Sequence, residues 1–230
     1  MKQTSLKIDL STEELQEMVD RYHINDADLF LVEILYQAMR PLLQASLYYE
    51  MREGNDKDVI IVVTLGKYLD LLQNLYSEAG AILESYLVEC LGMLLLEKGY
   101  RLAEEIIEQD IGYSIADFYF PDSEEPKDSG MPGLKEIIDS FGRSGMTSVI
   151  YNEAGMLIPK KSVTFCATLC EGEEKKTKSI CDQCENLNCE NRKMSNEPPR
   201  RDSKKLNYGY QKIFGDKANK TNKIKEKQEF

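Results

Sequence analysis

The sequence predicts an α+β domain, and three observations carry that reading. Apolar residues at helical spacing fill most of the chain up to Asp110. A run of five β-formers, Val59 to Val63, interrupts them. An alternating stretch, Ser162 to Leu169, follows later. The order is helices, one strand, helices, then several strands. That is not regular βαβ alternation, and it favours an antiparallel or mixed sheet. No internal repeat is visible.

The elements follow in order. Ser11 with Glu14 forms a capping box, so a short helix runs from there to about Tyr22. Asn25-Asp26 caps a second helix, expected over about Ala27 to Met51. Leu29, Val32, Leu35, Ala38 and Leu42 give it helical spacing, and Pro41 should kink it. Gly54-Asn55-Asp56 reads as a turn. Val59 to Val63 lacks alternation, which predicts a strand buried on both faces and ended by Thr64-Leu65-Gly66. Helices are then expected over about Lys67 to Tyr76 and Ala79 to Asp110. The second carries Ile82, Tyr86, Cys90, Met93 and Leu94 on one side. Gly92 and Gly99 either weaken it or mark close packing.

Ser114 to Phe120 reads as a strand. Pro121-Asp122-Ser123 and Ser129-Gly130-Met131-Pro132 are turn chemistry. A helix over Leu134 to Phe141 precedes extended pieces at about Thr147 to Tyr151 and Met156 to Ile158. In the last strand Val163, Phe165, Ala167 and Leu169 face one way. Ser162, Thr164, Cys166, Thr168 and Cys170 face the other. The domains expected are 1–170 for the α+β unit, 171–192 for a Cys-rich segment and 193–230 for a basic, disordered tail.

The 230 residues are 42% apolar and carry a net charge of −11. Arg192 to Phe230 holds 12 Lys/Arg against 5 Asp/Glu, or +7, which leaves −18 on the first 191 residues. An acidic body repels phosphate, so nucleic acid is not an expected partner of it. The tail fits a solvated end, although Tyr208 and Tyr210 among Lys204, Lys205 and Lys212 could stack on single-stranded RNA. No stretch reaches about 18 consecutive apolar residues, so no membrane span is expected. The N-terminus lacks the apolar core of a signal peptide. A cytoplasmic location follows, where thiols stay reduced.

Five of the six cysteines lie between Cys166 and Cys189. Cys181 and Cys184, two residues apart, can wrap a metal through a tight turn. Cys170 before them and Cys189 after them can close a four-sulfur shell. Such a shell suits zinc or an iron–sulfur cluster, and spacing does not choose between them. The competing readings are surface thiols on a loop and a dithiol redox pair at Cys181 and Cys184. No helix N-terminus is evident there to lower a thiol pKa. Cys166 reads as a spare ligand or a buried residue, with burial favoured, and Cys90 as core.

Little else carries chemistry. His23 is the only histidine and stands in a loop, so Ser-His-Asp or Cys-His catalysis has one option at most. Thr64-Leu65-Gly66-Lys67 lacks phosphate-loop spacing. The carboxylates are scattered over helix faces.

Several stretches together look familiar. These are Val63-Thr64-Leu65-Gly66, Glu89-Cys90-Leu91-Gly92, Gly145-Met146-Thr147, Asn152-Glu153-Ala154-Gly155-Met156-Leu157-Ile158-Pro159-Lys160-Lys161-Ser162-Val163, and the Cys181-Asp182-Gln183-Cys184 and Cys189-Glu190-Asn191-Arg192 pair. In this order the chain, over about residues 25 to 192, resembles the activation domain of vitamin B12-dependent methionine synthase. It is closest to the short stand-alone forms of anaerobic bacteria.

The resemblance implies a curved fold with helices packed on a mainly antiparallel sheet. It implies a domain that presents S-adenosylmethionine to cobalamin held by a corrinoid-binding methyltransferase partner. There the cofactor's methyl group and one electron restore methylcobalamin from the inactive Co(II) state. Ligand contacts would fall on Pro121, Met156, Pro159, Lys160 and Ser162. A strand edge with one exposed lysine is the alternative for the last four. The family's signature is an Arg followed three residues later by Pro-Gly-Tyr. It maps to Phe118 through Ser123, where only Pro121 matches. Gly112-Tyr113 offers another placement, with Glu108 at the Arg position.

Overall fold

The computed structural model describes residues 1–52, 55–121, 132–143, 145 and 148–171. Its elements run β1 (Lys2–Ser5), α1 (Thr12–Arg21), α2 (Leu29–Met39), β2 (Ser46–Arg52), β3 (Asn55–Thr64), α3 (Tyr68–Glu78), α4 (Ile82–Ile111), β4 (Ser114–Tyr119), α5 (Leu134–Arg143), β5 (Ile150–Tyr151), β6 (Leu157–Ile158) and β7 (Ser162–Cys170). The fold class is α+β, as the sequence predicts. Five strands form an open sheet in the order β1-β2-β3-β7-β4, with every neighbour antiparallel. β5 and β6 make a separate small hairpin.

The second helix expected from the sequence is corrected. It stops at Met39 rather than Met51. Arg40–Leu42 is a single 3-10 turn with Pro41 in its first positions, and Leu43 is extended. Proline has no N–H to continue the ladder, so it ends this helix instead of kinking it. The residues beyond it, Ser46 to Arg52, become β2 and pair with β3 from Ser46↔Thr64 to Arg52↔Asn55. Leu42, the last residue at helical spacing, lies in that 3-10 turn, and the sheet takes over only from Ser46. β3 accordingly starts at Asn55, which the sequence places in a turn.

The sheet separates two cores. Along β3, Val59, Ile61 and Val63 point to the α1–α4 side, while Ile60 and Val62 point to the α5 side. All five are at most 8% exposed, so the strand is buried on both faces as expected. β7 alternates in the same way, with Phe165, Ala167 and Leu169 toward the helices and Cys166 toward Ile137, Ile138 and Phe141 of α5. Complete burial of one such aliphatic or aromatic side chain contributes about 1.5–3 kcal/mol. In β4 the register slips between Ile115 and Asp117. That bulge puts Ile115 and Phe118 on the same face, although they are three residues apart.

α1 shows the expected capping box: Glu14 N–H donates to Ser11 Oγ at 3.2 Å, and Ser11 N–H to Glu14 Oε2 at 2.8 Å. Lys98 of α4 reaches the same Glu14 at 2.7 Å. Buried Glu97 accepts from Arg21 at 3.2 Å and from Arg101, which fixes α1 on α4. Gly112 at φ 79 ends α4 in the left-handed region. The apolar side expected along α4 is split. Cys90 and Leu94 are buried, but Ile82 and Tyr86 are 66% and 45% exposed. Among the described residues no helix is long and apolar enough to cross a membrane.

Candidate functional site

β3 ends where β7 begins, and the last pair in their ladder is Thr64 with Ser162. Ser162 Oγ donates to Thr64 Oγ1 at 2.8 Å, and the Gly66 N–H donates to the same oxygen at 3.2 Å. The chain then turns sharply. Leu65 N–H donates to the Lys161 carbonyl at 2.9 Å, and Gln44 N–H to the Leu65 carbonyl at 3.0 Å. Gly66 takes φ 84, and a Cβ there would lie 2.7 Å from Gln44 Cβ. Both the left-handed backbone and the space demand glycine.

α3 and α4 run past this corner, and each supplies a carboxylate. Lys161 is only 5% exposed. Its ammonium pairs with Glu89 of α4, which is more open to solvent. Its stem crosses α4 at Gly92, where a Cβ would stand 2.7 Å from Lys161 Cε. Gly92 therefore marks close packing, one of the two readings drawn from the sequence. Asp70 of α3 holds the next residue, accepting the Lys160 N–H at Oδ2 over 2.7 Å. Its Oδ1 is buried and accepts no hydrogen bond among the described residues.

The residues singled out from the sequence fall on both ends of the sheet. Ser162 and Lys160 are at this corner. Pro159, which follows a cis peptide, is buried, while Lys160 is exposed. Met156 is 58% exposed in the β5–β6 hairpin. Its turn closes through Met156 N–H to Asn152 Oδ1 at 2.8 Å and Gly155 N–H to the Asn152 carbonyl at 3.0 Å. Pro121 stands two residues beyond β4. The pairing of Tyr119 with Cys166 directs that strand toward the Ser162 end of β7. Pro121, Pro159, Lys160 and Ser162 thus share one end of the sheet.

Phe118 falls at the arginine position in the first of the two placements that the resemblance offers. It is 7% exposed, and its ring meets Phe165 edge-to-face with centroids 5.8 Å apart. A phenyl ring in the core supplies no charge to a carboxylate. The residues at this placement do not fit the methionine end of S-adenosylmethionine.

Cys170 lies at the opposite end of β7, about 26 Å along the strand from Ser162. Its sulfur sits 3.5 Å from the Ser114 carbonyl oxygen. Cys166 is fully buried, and its thiol is pushed up to about 12, first by burial and then by the negative charge of Asp58. It is a core residue, as favoured from the sequence, and so is Cys90. Cys181, Cys184 and Cys189 lie outside the described residues, as do Asp122, Ser123 and the tail. Among the described residues no group of three His, Cys, Asp or Glu side chains could hold a metal ion. His23 takes φ 54 just after α1 and donates its N–H to the Asp20 carbonyl at 3.3 Å, a helix-ending role.

A cavity of about 920 Å³ also lies away from the predicted residues. Tyr49, Arg52, Asp110, Glu136 and Arg143 are among its walls, at the Arg52 end of β2. Sequence reasoning missed it because its walls come from five separate elements. It also missed Lys161, Glu89 and Asp70. A signal for one of them existed: Glu89 is spaced i, i+3 with Gly92, which puts both on one side of α4.

Compared with models of known families and with curated proteins, the chain finds no match.

Proposed function

We propose that this chain is a stand-alone activation-type protein of the methionine synthase kind. It would act in the cytoplasm and assist the reductive remethylation of cobalamin held by a corrinoid-binding methyltransferase. One observation supports the reading most. Three stretches that carry the resemblance, Val63 to Gly66, Glu89 to Gly92 and Lys160 to Val163, are distant in sequence yet meet at one corner. They meet through specific contacts: Ser162 on Thr64, Lys161 on Glu89, and the Lys161 stem on Gly92. A coincidence of short motifs would not require them to touch. Phe118 stands where a cation for the carboxylate of S-adenosylmethionine is expected, so the proposed role is assistance to the partner and includes no step on that cofactor by this chain.

The test is reconstitution. A corrinoid methyltransferase loaded with Co(II) cobalamin is reduced in the presence of S-adenosylmethionine, with and without this chain. The visible spectrum follows methylcobalamin. Faster conversion in its presence is the expected result. Equal rates at stoichiometric protein would sink the reading.

The cysteine spacing favours a second reading, a non-catalytic zinc or iron–sulfur module for electron transfer or redox sensing. Cys170, Cys181, Cys184 and Cys189 would be its ligands. Metal and acid-labile sulfide assays on anaerobically purified protein decide it. Absence of both from the intact chain, or metal retained undiminished in a Cys181→Ser variant, would leave this reading without support.

A further inference from the structure

The outer side of the α3–α4 hairpin carries several large apolar side chains that are exposed. Leu71 and Leu75 on α3 are 55% and 62% exposed, and Ile82 and Tyr86 on α4 are 66% and 45% exposed. Each pair is spaced i, i+4, so each forms a stripe along its helix. The helices are held side by side by Ser85 Oγ donating to the Gln73 carbonyl at 3.2 Å. Isolated exposed leucines are ordinary, but a grouped set on one hairpin marks a contact surface.

The charges on α3 say what would cover it. Lys67 stands just before the first turn and Glu78 is the last residue of the helix, and both are exposed. The Lys67 ammonium also lies 5.6 Å from the centre of the Tyr68 ring. Spacing places Lys67, Leu71, Leu75 and Glu78 on one side of the helix. At about 1.5 Å per residue the two charges are about 16 Å apart. A stripe that is positive at one end, apolar in the middle and negative at the other complements itself after a half turn about its centre. An unrelated partner would have to supply the inverse pattern, whereas a second copy already carries it.

We propose that two copies of this chain pair about a two-fold axis through the outer face of α3 and the start of α4. Lys67 of each copy then meets Glu78 of the other. A face of a few apolar side chains per copy is small beside the roughly 800 Å² per partner of a standard interface, so the dimer is weak and concentration-dependent. The net charge of −11 opposes it, but that repulsion is screened beyond about 8 Å at physiological salt. This inference is independent of the function proposed above.

Sedimentation equilibrium on the full chain tests it. A reversible monomer–dimer equilibrium is expected, abolished by Leu71→Ser combined with Leu75→Ser. Lys67→Glu alone and Glu78→Lys alone should each weaken it about tenfold. Mixing the two single variants places opposite charges at both ends again, so the mixed pair should regain the original affinity. Circular dichroism checks that each variant is folded. A chain that stays monomeric overturns the proposal. So does a dimer indifferent to the leucine changes, or a mixture no tighter than either variant alone.

Discussion

Lys161 and Gly92 are shaped to one another: the lysine stem lies where a side chain at Gly92 would be, with Cε 2.7 Å from the Cβ position. The fit joins the start of β7 to the middle of α4 and lets a charged residue run beneath the surface to Glu89.

Gly92→Ala therefore tests the corner directly. In an open helix the change would stabilise by about 1 kcal/mol. Here the new methyl meets a held side chain, and overpacking of this kind costs about 1–3 kcal/mol. Denaturant unfolding should show a lower midpoint than wild type. A raised midpoint would mean that Lys161 moves aside freely.

The two partners of the ion pair should not be equivalent. Lys161 is buried, while Glu89 keeps 38% of its side-chain surface. Glu89→Ala strands an ammonium away from water, and loss of one partner of a buried pair costs about 3–5 kcal/mol at the upper end. Lys161→Met leaves a carboxylate that water can reach and fills the channel with a stem of similar length. Urea midpoints should rank wild type and Lys161→Met together, with Glu89→Ala well below.

Asp70 anchors the segment between β6 and β7 by a single hydrogen bond to the Lys160 amide. Asp70→Ala should lower stability by about 1–2 kcal/mol. Hydrogen exchange at the Lys160 amide should rise markedly, with little change in the centre of β3. Unchanged exchange at Lys160 would show that the segment is held by its neighbours instead.

At alkaline pH the fold should weaken. Tyr36 is pushed up to about 12, first by burial and then by its hydrogen bond to Asp9. Cys166 is pushed up to about 12, mainly by burial. Tyr49 is also raised, by burial and by its bond to Asp110. Each group keeps its proton in the folded state to a higher pH than in the unfolded chain. The unfolded chain therefore releases protons first, and stability falls as pH rises from about 8.5 toward 12. Cys166→Ala with Tyr36→Phe should flatten this limb of a plot of stability against pH. An unaltered slope would exclude both groups as its source.

Much of the fold is legible in the amino-acid sequence. Ser11 and Glu14 announce α1, and Val59 to Val63 announce a strand buried on both faces, because caps and runs are local properties. β2 could not be read that way, since Ser46 to Arg52 becomes a strand only by pairing with β3. β1 was missed for the same reason: Lys2 to Ser5 has no pattern of its own and takes its shape from Tyr49 to Ser46. The corner was half legible. Ser162 and Lys160 stood out as a motif, but which of two adjacent lysines is buried depends on a notch in α4, 69 positions earlier in the chain for Lys161.

The sheet also acts as a partition wall between unequal rooms. Among the described residues, the α1–α4 side holds thirty-two buried core residues against eight on the α5 side. Among the described residues, the smaller room is closed by one ten-residue helix and a two-residue hairpin strand. Cooperative stability is not shared evenly across such a wall. α5 should detach and reattach many times during the life of a molecule whose other face never opens. The amides of Ile137 and Phe141 should exchange long before those of Leu91 and Leu95. The concealed face of β7, with the Cys166 thiol on it, would meet solvent only in those brief intervals.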